Sequence, residues 1–419
     1  MSRFDYRNKS SKGPDVYLLL IYVVLVIIGW LAIYSSSYDA LAKERTFEFS
    51  QAYGKQLIWI IVSVFFAIAI LLIDNKLIQS YAYHAYLVSI VLILSVLVFG
   101  TEISGAKAWI KIGSVSIQPI EFAKFSTALA LAKFFSEGKT ASERKNLWLS
   151  AFGIILVPAF IAILQHDTGS ALVFFSFVIL FYREGFSTTF ILLAFLSMLI
   201  FVLTISFNEL YTLAFLLVLF IIACIFYHGN RKMIIRCTIV FASAIVLVFA
   251  VNTAYNKVLK PHQRQRIETV FGKSVDPKGA DFNLNQSKIA IGSGGFFGKG
   301  YLKGTQTKLN FVPEQSTDFI FCSIGEEFGF LGSLFVIGLY LALIIRVILL
   351  SEKSRGTFTR VYGYGVASVF FFHLIINIGM TIGLVPVIGI PIPFLSYGGS
   401  SLWGFTILLF LFIKLSSES

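Results

Sequence analysis

Asp276 stands before Pro277 in a long polar stretch, between a basic amphipathic segment, HQRQRIETVF (His262–Phe271), and a glycine-rich one, NQSKIAIGSGGFFGKG (Asn285–Gly300). Of the four acidic candidates in this part of the chain, Asp276, Asp281, Glu314 and Asp318, it has the best setting for chemistry, because a carboxylate with cations nearby can serve as a general base. The same spacing fits an aspartate in a surface turn, and the residues alone leave both readings open. Arg264 and Arg266 can grip a phosphate bidentately, and equally a lipid headgroup. The glycines at 292, 294, 295, 298 and 300 do not read as a phosphate cradle: the G-x-x-x-x-G-K-[ST] pattern is absent and no strand precedes them. A turn-rich hairpin is expected there.

A second set of ionisable residues lies within apolar sequence, where a central Asp, Lys or Arg costs about 2.5–3.5 kcal/mol on insertion scales. Glu121 and Lys124 are spaced i, i+3, so on a helix they share a face and can pair. Such a pair is either a structural ion pair near the interface or part of the lining of a polar cavity. His166 and Asp167, in HDTGS, fall between two apolar runs and mark a break or hairpin tip. His373 and Asn377 are spaced i, i+4 on one face, as expected of an internally satisfied hydrogen-bonding pair.

Membrane-spanning elements must hold these residues. The chain of 419 residues is 57% apolar and 13% charged, against about 45–50% and about 25% in a soluble domain, which excludes a soluble globular enzyme. Its apolar residues gather into twelve runs: Val16–Tyr34, Leu57–Ile73, Tyr81–Phe99, Pro119–Phe135, Leu147–Leu164, Gly169–Tyr182, Thr188–Phe207, Leu210–Tyr227, Cys237–Tyr255, Phe328–Leu350, Val361–Val385 and Ser401–Leu415. Runs of this length suit a hydrocarbon core of about 30 Å. Two are weak, since Gly169–Tyr182 is short and Pro119–Phe135 carries Glu121, Lys124 and Lys133. The expected fold is an all-α polytopic membrane protein: a single helical bundle of about twelve transmembrane helices, with residues 1–419 as one membrane domain.

With the N-terminus inside, the inner segments hold sixteen Lys and Arg and the short outer loops five. Positive-inside bias therefore places both termini in the cytoplasm and residues 256–316 in a large extracytoplasmic loop. That loop mixes Phe, Ile, Leu and Val with charge, which favours a folded segment lying back on the membrane surface over disorder. Val16–Tyr34 follows basic residues but is too long for a signal peptide and lacks an A-x-A site, so it reads as an uncleaved first helix. The net charge of +12 comes with no basic stripe or binding motif, and no nucleic-acid partner is expected. Cys224, Cys237 and Cys322 all lie in or beside apolar runs, which leaves neither a disulfide framework nor a CxxC metal site.

The segment PVIGIPIPFLSYGGSS (Pro386–Ser401) contains three prolines, so it is expected to form a re-entrant or surface loop whose freed backbone groups face protein or water. Together with GAKAWIKIG (Gly105–Gly113), QPIEFAK (Gln118–Lys124), QHDTGSALV (Gln165–Val173), HQRQRI (His262–Ile267), VDPKGADFNLNQSKIAIGSGGFFGKG (Val275–Gly300) and FVPEQSTDFIFCSIGEEFGFLG (Phe311–Gly332), it resembles the SEDS family of shape, elongation, division and sporulation polymerases. The GTQ at Gly304–Gln306 resembles the RodA-like, elongation-type branch more than the FtsW-like, division-type branch. The resemblance implies a peptidoglycan glycosyltransferase that polymerises lipid II on the outer face of the bacterial cytoplasmic membrane, for cell-wall elongation and rod shape. Its implied partners are a class B penicillin-binding protein, which crosslinks the nascent glycan, and the membrane proteins of the elongation complex. It also implies that Asp276 is the essential carboxylate, and that Glu121 and Lys124 belong to the active-site cavity or its support.

Making a β-1,4 glycan from an α-linked lipid diphosphate sugar inverts the donor carbon. The implied reaction is a single displacement, with Asp276 as general base on the acceptor hydroxyl and with cations or a divalent metal (Mg or Mn) stabilising the leaving diphosphate. Arg264, Arg266 and Lys278 are the candidates for diphosphate contacts, and no metal ligand is assigned. The sequence departs from the family at Ala108 (usually Arg), Ile120 (usually Ser), His166–Thr168 (usually Pro-Asp-Leu) and Ser316 (usually His), so roles of those family side chains do not carry over. Family members usually have ten membrane helices, and the surplus pair is placed at residues 188–227. The alternative function is a flippase for lipid-linked precursors that uses Glu121, Lys124, Asp167 and His373 near mid-membrane. Against it, the acid–base candidates concentrate in the outer loop.

Overall fold

The computed structural model describes residues 13–37, 48–103, 105–113, 115–137, 144–207, 209–253, 255–256, 264, 268, 280–308, 311–312 and 314–417. In chain order the elements are α1 (Val16–Ser36), α2 (Ala52–Leu72), α3 (Asn75–Ser80), α4 (Ala82–Phe99), β1 (Thr101–Ile103), β2 (Ala106–Ile112), β3 (Val115–Ile117), α5 (Pro119–Ser136), α6 (Arg144–Leu164), α7 (Thr168–Phe175), α8 (Val178–Arg183), α9 (Thr188–Phe207), α10 (Glu209–Phe226), α11 (Arg231–Thr253), α12 (Ala280–Gly294), α13 (Ile320–Lys353), α14 (Thr357–Ile382) and α15 (Gly399–Ser417). Each of the twelve apolar runs overlaps helix among the described residues, Gly169–Tyr182 the broken pair α7 and α8. Among the described residues, nine helices are long and apolar enough to cross a membrane, and Thr168–Arg183 is a shorter apolar stretch. The chain is an all-α, multi-pass membrane protein.

Two compact units make up the chain: Met1–Glu184 with Lys278–Ser419, and Gly185–Pro277. In the first, α5 packs against α4, α14 and α15. Its poor hydropathy as a run has a structural cause. Ala123, Ala128, Ala130 and Ala132 are fully buried beside Ser126 and Thr127, and small residues let neighbouring helices approach closely where lipid offers no hydrophobic drive. By contrast α2 and α4 leave Ile61, Phe65, Leu87 and Val91 exposed, as lipid-facing helices do. The second unit packs α9, α10 and α11 around Ile200, Leu216, Ala244 and Val248.

Two elements differ from expectation. Residues 101–117 form a three-stranded antiparallel sheet, β1-β2-β3, with Gly105 and Gly113 at positive φ in its turns. The turns expected at the glycines 292–300 begin only at Gly295 (φ 58°), because residues 280–294, Gly292 and Gly294 included, form the helix α12. Gly294 is there for contact rather than for flexibility: a Cβ on it would lie 2.0 Å from the carbonyl oxygen of Gly325, so only glycine lets α12 lie backbone to backbone on α13.

Candidate functional site

Pro119 opens α5 at a position where a missing N–H costs nothing, and places Glu121 in the first turn, where the helix dipole favours an anion. One turn on, Lys124 Nζ donates to Glu121 Oε1 at 2.6 Å, with both side chains 2% exposed. Lys124 also meets His373 Nε2 at 3.2 Å and lies 5.2 Å from the Phe405 ring centre. The other imidazole nitrogen, Nδ1, lies 2.8 Å from the carbonyl oxygen of Pro391. A carbonyl only accepts, so the proton sits on Nδ1 and Nε2 accepts from the lysine. The expected pair is therefore present, enclosed by protein rather than facing an open channel, and it reaches the proline-rich segment through His373.

That segment follows the expectation of a non-helical stretch with a satisfied backbone. Gly383, left-handed at φ 83°, ends α14, and the next helix starts only at Gly399. Asn377 Nδ2 donates to the carbonyls of Ile390 (2.7 Å) and Asp318 (2.8 Å), and the Tyr340 hydroxyl donates to that of Pro393. Ser396 Oγ accepts from Ile392 N at 2.9 Å and donates to Thr317 O at 2.7 Å, while Tyr397 N donates to Ser316 O at 2.8 Å. The segment is thus strapped onto residues 316–318, and Ser316 takes part through its backbone. At the start of α5, Asp167 caps α7 by accepting from Ser170 N, and it also accepts from Gln118 Nε2 at 2.8 Å. His166, at φ 62°, makes the expected break before it.

Two carboxylates of this region escaped the sequence reading. Glu326 Oε1 accepts from Lys299 Nζ (2.7 Å), Thr305 N (2.7 Å) and Gln306 N (2.9 Å), and Oε2 accepts from Thr307 N (3.0 Å) and Thr307 Oγ1 (2.9 Å). Glu327 accepts from Leu302 N at 3.1 Å and from the Ser35 hydroxyl. Lys299 N and Gly300 N donate to the carbonyls of the same two glutamates, at 3.0 and 2.9 Å. The glycine-rich turn is therefore wrapped on the start of α13, just before its kink at Gly329 (φ 66°), and holds a protein carboxylate rather than a phosphate. Tyr301 in this turn donates to Leu31 O at 3.3 Å, and burial next to the Glu327 charge pushes its hydroxyl up to about 12. Two adjacent glutamates in an apolar helix were the available signal.

Of the candidates in the long stretch after α11, Arg264 is described and Asp276, Arg266 and Lys278 lie outside the described residues. Arg264 Nε donates to Glu268 Oε1 at 2.8 Å and its guanidinium lies 4.7 Å from the ring centre of Tyr255, whose hydroxyl donates to the same Glu268 oxygen at 2.7 Å. Glu268, then Tyr255, hold the guanidinium above its ordinary range. Arg264 thus belongs to an ion pair of the second unit, while Glu121 and Lys124 belong to the first. Among the described residues, no three His, Cys, Asp or Glu side chains come together as a metal site.

Fold and site together define a multi-pass helical membrane protein with a buried Glu–Lys–His network that reaches a proline-rich, non-helical segment. The family profile of the FtsW/RodA/SpoVE cell cycle proteins matches residues 16–214 and 183–419. The chain belongs to this family, and to its RodA-like side. It is similar to the peptidoglycan glycosyltransferase RodA of Treponema pallidum (strain Nichols), at 31% identity covering 95% of this chain and 96% of that one. The peptidoglycan glycosyltransferase MrdB of Escherichia coli (strain K12) is likewise 31% identical, over 95% of this chain and 93% of its own. A chain from a structure described as structural coordination of polymerization and crosslinking by a peptidoglycan synthase complex aligns with a TM-score of 0.69 at 25% identity, covering 96% of this chain and 97% of that one.

Proposed function

We propose that this chain is a peptidoglycan glycosyltransferase that polymerises lipid II into β-1,4 glycan strands for cell-wall elongation and rod shape. The observation that carries this reading is near full-length kinship, 31% identical, to proteins named peptidoglycan glycosyltransferases. In this account the chain sits in the bacterial cytoplasmic membrane with both termini in the cytoplasm. It works beside a class B penicillin-binding protein and the membrane proteins of the elongation complex, and residues 188–227 are an addition to the family's ten helices.

Asp276 is the general base. Its carboxylate takes the acceptor hydroxyl proton as that oxygen attacks the donor carbon from the side opposite the diphosphate, inverting it in one displacement. Arg264, Arg266 and Lys278 meet the leaving diphosphate, which for Arg264 requires the phosphate to replace Glu268 as its anion. A divalent cation, Mg or Mn, would add charge neutralisation when bound. The described residues bring no three acidic, His or Cys ligands together, so no step relies on it. Glu121 and Lys124 act as support, holding the re-entrant segment through His373. The flippase alternative asks for polar groups free to follow a substrate across the bilayer. Here Lys124, His373 and Asn377 all donate to fixed protein acceptors.

Purified full-length protein incubated with labelled lipid II, with and without the class B partner and divalent cations, tests the class. Glycan ladders are expected. Lipid II moved across proteoliposome membranes with no ladder in any condition would favour the flippase.

A further inference from the structure

We propose that Cys224 and Cys237 form a facing thiol pair, a site of reversible disulfide formation that fixes the turn end of the α10–α11 hairpin. The two helices are joined by the short turn at residues 227–230, with Gly229 at φ 92°. Two contacts set their register. Towards the open end, Asn252 Nδ2 donates to Glu209. Eleven residues nearer the turn on each helix, the rings of Phe220 and Phe241 stack with centres 4.6 Å apart and planes 9° apart. Between these contacts Leu216, Ala244 and Val248 form the buried core of the unit with Ile200 of α9.

Four residues beyond the phenylalanines, again on each helix and again towards the turn, stand Cys224 and Cys237. A step of four returns a helix to the same face one turn along, so the register that stacks Phe220 on Phe241 sets Cys224 opposite Cys237. Burial agrees. Both cysteines are half-buried and reduced, while Ile225, Phe226 and Ile235 beside them are exposed. A disulfide needs Cα atoms within about 4.4–6.8 Å, and both cysteines lie within two helical turns of the connection at residues 227–230. Cys322 is fully buried in α13, in the other unit.

The oxidant class is a peroxide. One thiolate attacks the O–O bond and becomes a sulfenic acid as hydroxide leaves. The second thiolate attacks that sulfur, the S–S bond forms and a second hydroxide leaves. Two thiols give up two protons and two electrons, and the peroxide ends as two waters. Arg231, Lys232 and Arg236 mark the turn as the end that the positive-inside bias assigns to the cytoplasm, so the resting state is the dithiol and the bond forms under oxidative load.

The test uses full-length protein in detergent, as wild type, Cys224→Ser, Cys237→Ser and Cys322→Ser, treated with hydrogen peroxide in small excess and digested without reduction. Mass spectrometry should find a peptide linked through Cys224 and Cys237 in wild type and Cys322→Ser, absent from the other two and lost on adding dithiothreitol. Amide exchange at residues 227–231 should slow severalfold on oxidation in the same two proteins. Cysteines oxidised separately, or joined only between molecules, would overturn the facing pair. A linked peptide without slower exchange would overturn the fixing role.

Discussion

Lys124 Nζ and His373 Nε2 stand 3.2 Å apart across α5 and α14, so one buried ammonium serves both a carboxylate and an imidazole. Because His373 spends its only proton on the Pro391 carbonyl, the ion pair on α5 and the proline-rich segment after α14 form a continuous chain of hydrogen bonds. Such a chain stabilises only while every member has its partner.

Removing one charge should therefore cost more than removing both. Lys124→Met leaves the Glu121 carboxylate buried and unpaired and should destabilise by about 3–5 kcal/mol. Glu121→Gln combined with Lys124→Met should recover part of that loss. Thermal unfolding in detergent, followed by tryptophan fluorescence, checks it, and a double variant as unstable as the sum of the singles would contradict the pairing.

The tautomer gives a finer contrast. In His373→Asn the amide nitrogen falls near the position of Nδ1 and can still donate to Pro391. In His373→Gln the amide reaches the position of Nε2 and can meet only Lys124. If the Pro391 bond sets the segment, the Asn variant should be the more stable by about 1 kcal/mol. Equal losses in unfolding experiments would show that the bond to Pro391 is incidental.

Backbone contact between α12 and α13 predicts a split between two glycines in one helix. Gly294→Ala drives a methyl to 2.0 Å from Gly325 O and should cost roughly 1–3 kcal/mol or more. Gly292→Ala meets nothing within 4 Å and should be neutral or stabilise by up to about 1 kcal/mol, since alanine loses less backbone entropy in a helix. Limited proteolysis of the two variants in parallel would show it, and equal protection would contradict the close approach.

How much was legible in the sequence depended on whether a feature is local. Glu121 and Lys124 could be paired from spacing, because in apolar sequence two charges one turn apart have few other ways to be tolerated. Pro386, Pro391 and Pro393 likewise leave no helix to draw. Glu326 was hidden because its partners, Lys299 and residues 305–307, reach it only once the chain has turned back on itself. The helix at 280–294 was hidden because its terminal glycine reads as a turn signal, whereas the neighbour that requires it, Gly325, is distant in sequence. The short strands around Trp109 were overshadowed by longer apolar runs on either side. The thiol pair depends on helix register, which cysteine spacing does not encode.

The distribution of Lys and Arg predicts the sidedness of the chain. A cysteine placed at Ser274 should react with an impermeant thiol reagent added outside intact cells, and one at Ser142 should react only after permeabilisation. The reverse pattern would invert the proposed orientation and remove Asp276 from the side where lipid II is polymerised.

The central claim is that Asp276 acts as base. Asp276→Asn keeps the size and most hydrogen-bonding capacity of the side chain but removes its basicity, so polymerisation of lipid II should fall by the ~10²–10⁴ that general-base catalysis supplies. Lipid II binding should persist, because the donor is held chiefly by its diphosphate and lipid. Asp281→Asn makes the same charge change five residues along and should cost far less. Measured side by side on purified protein, a loss confined to Asp276→Asn is the predicted result. Full activity in Asp276→Asn, or equal losses in both variants, would contradict it.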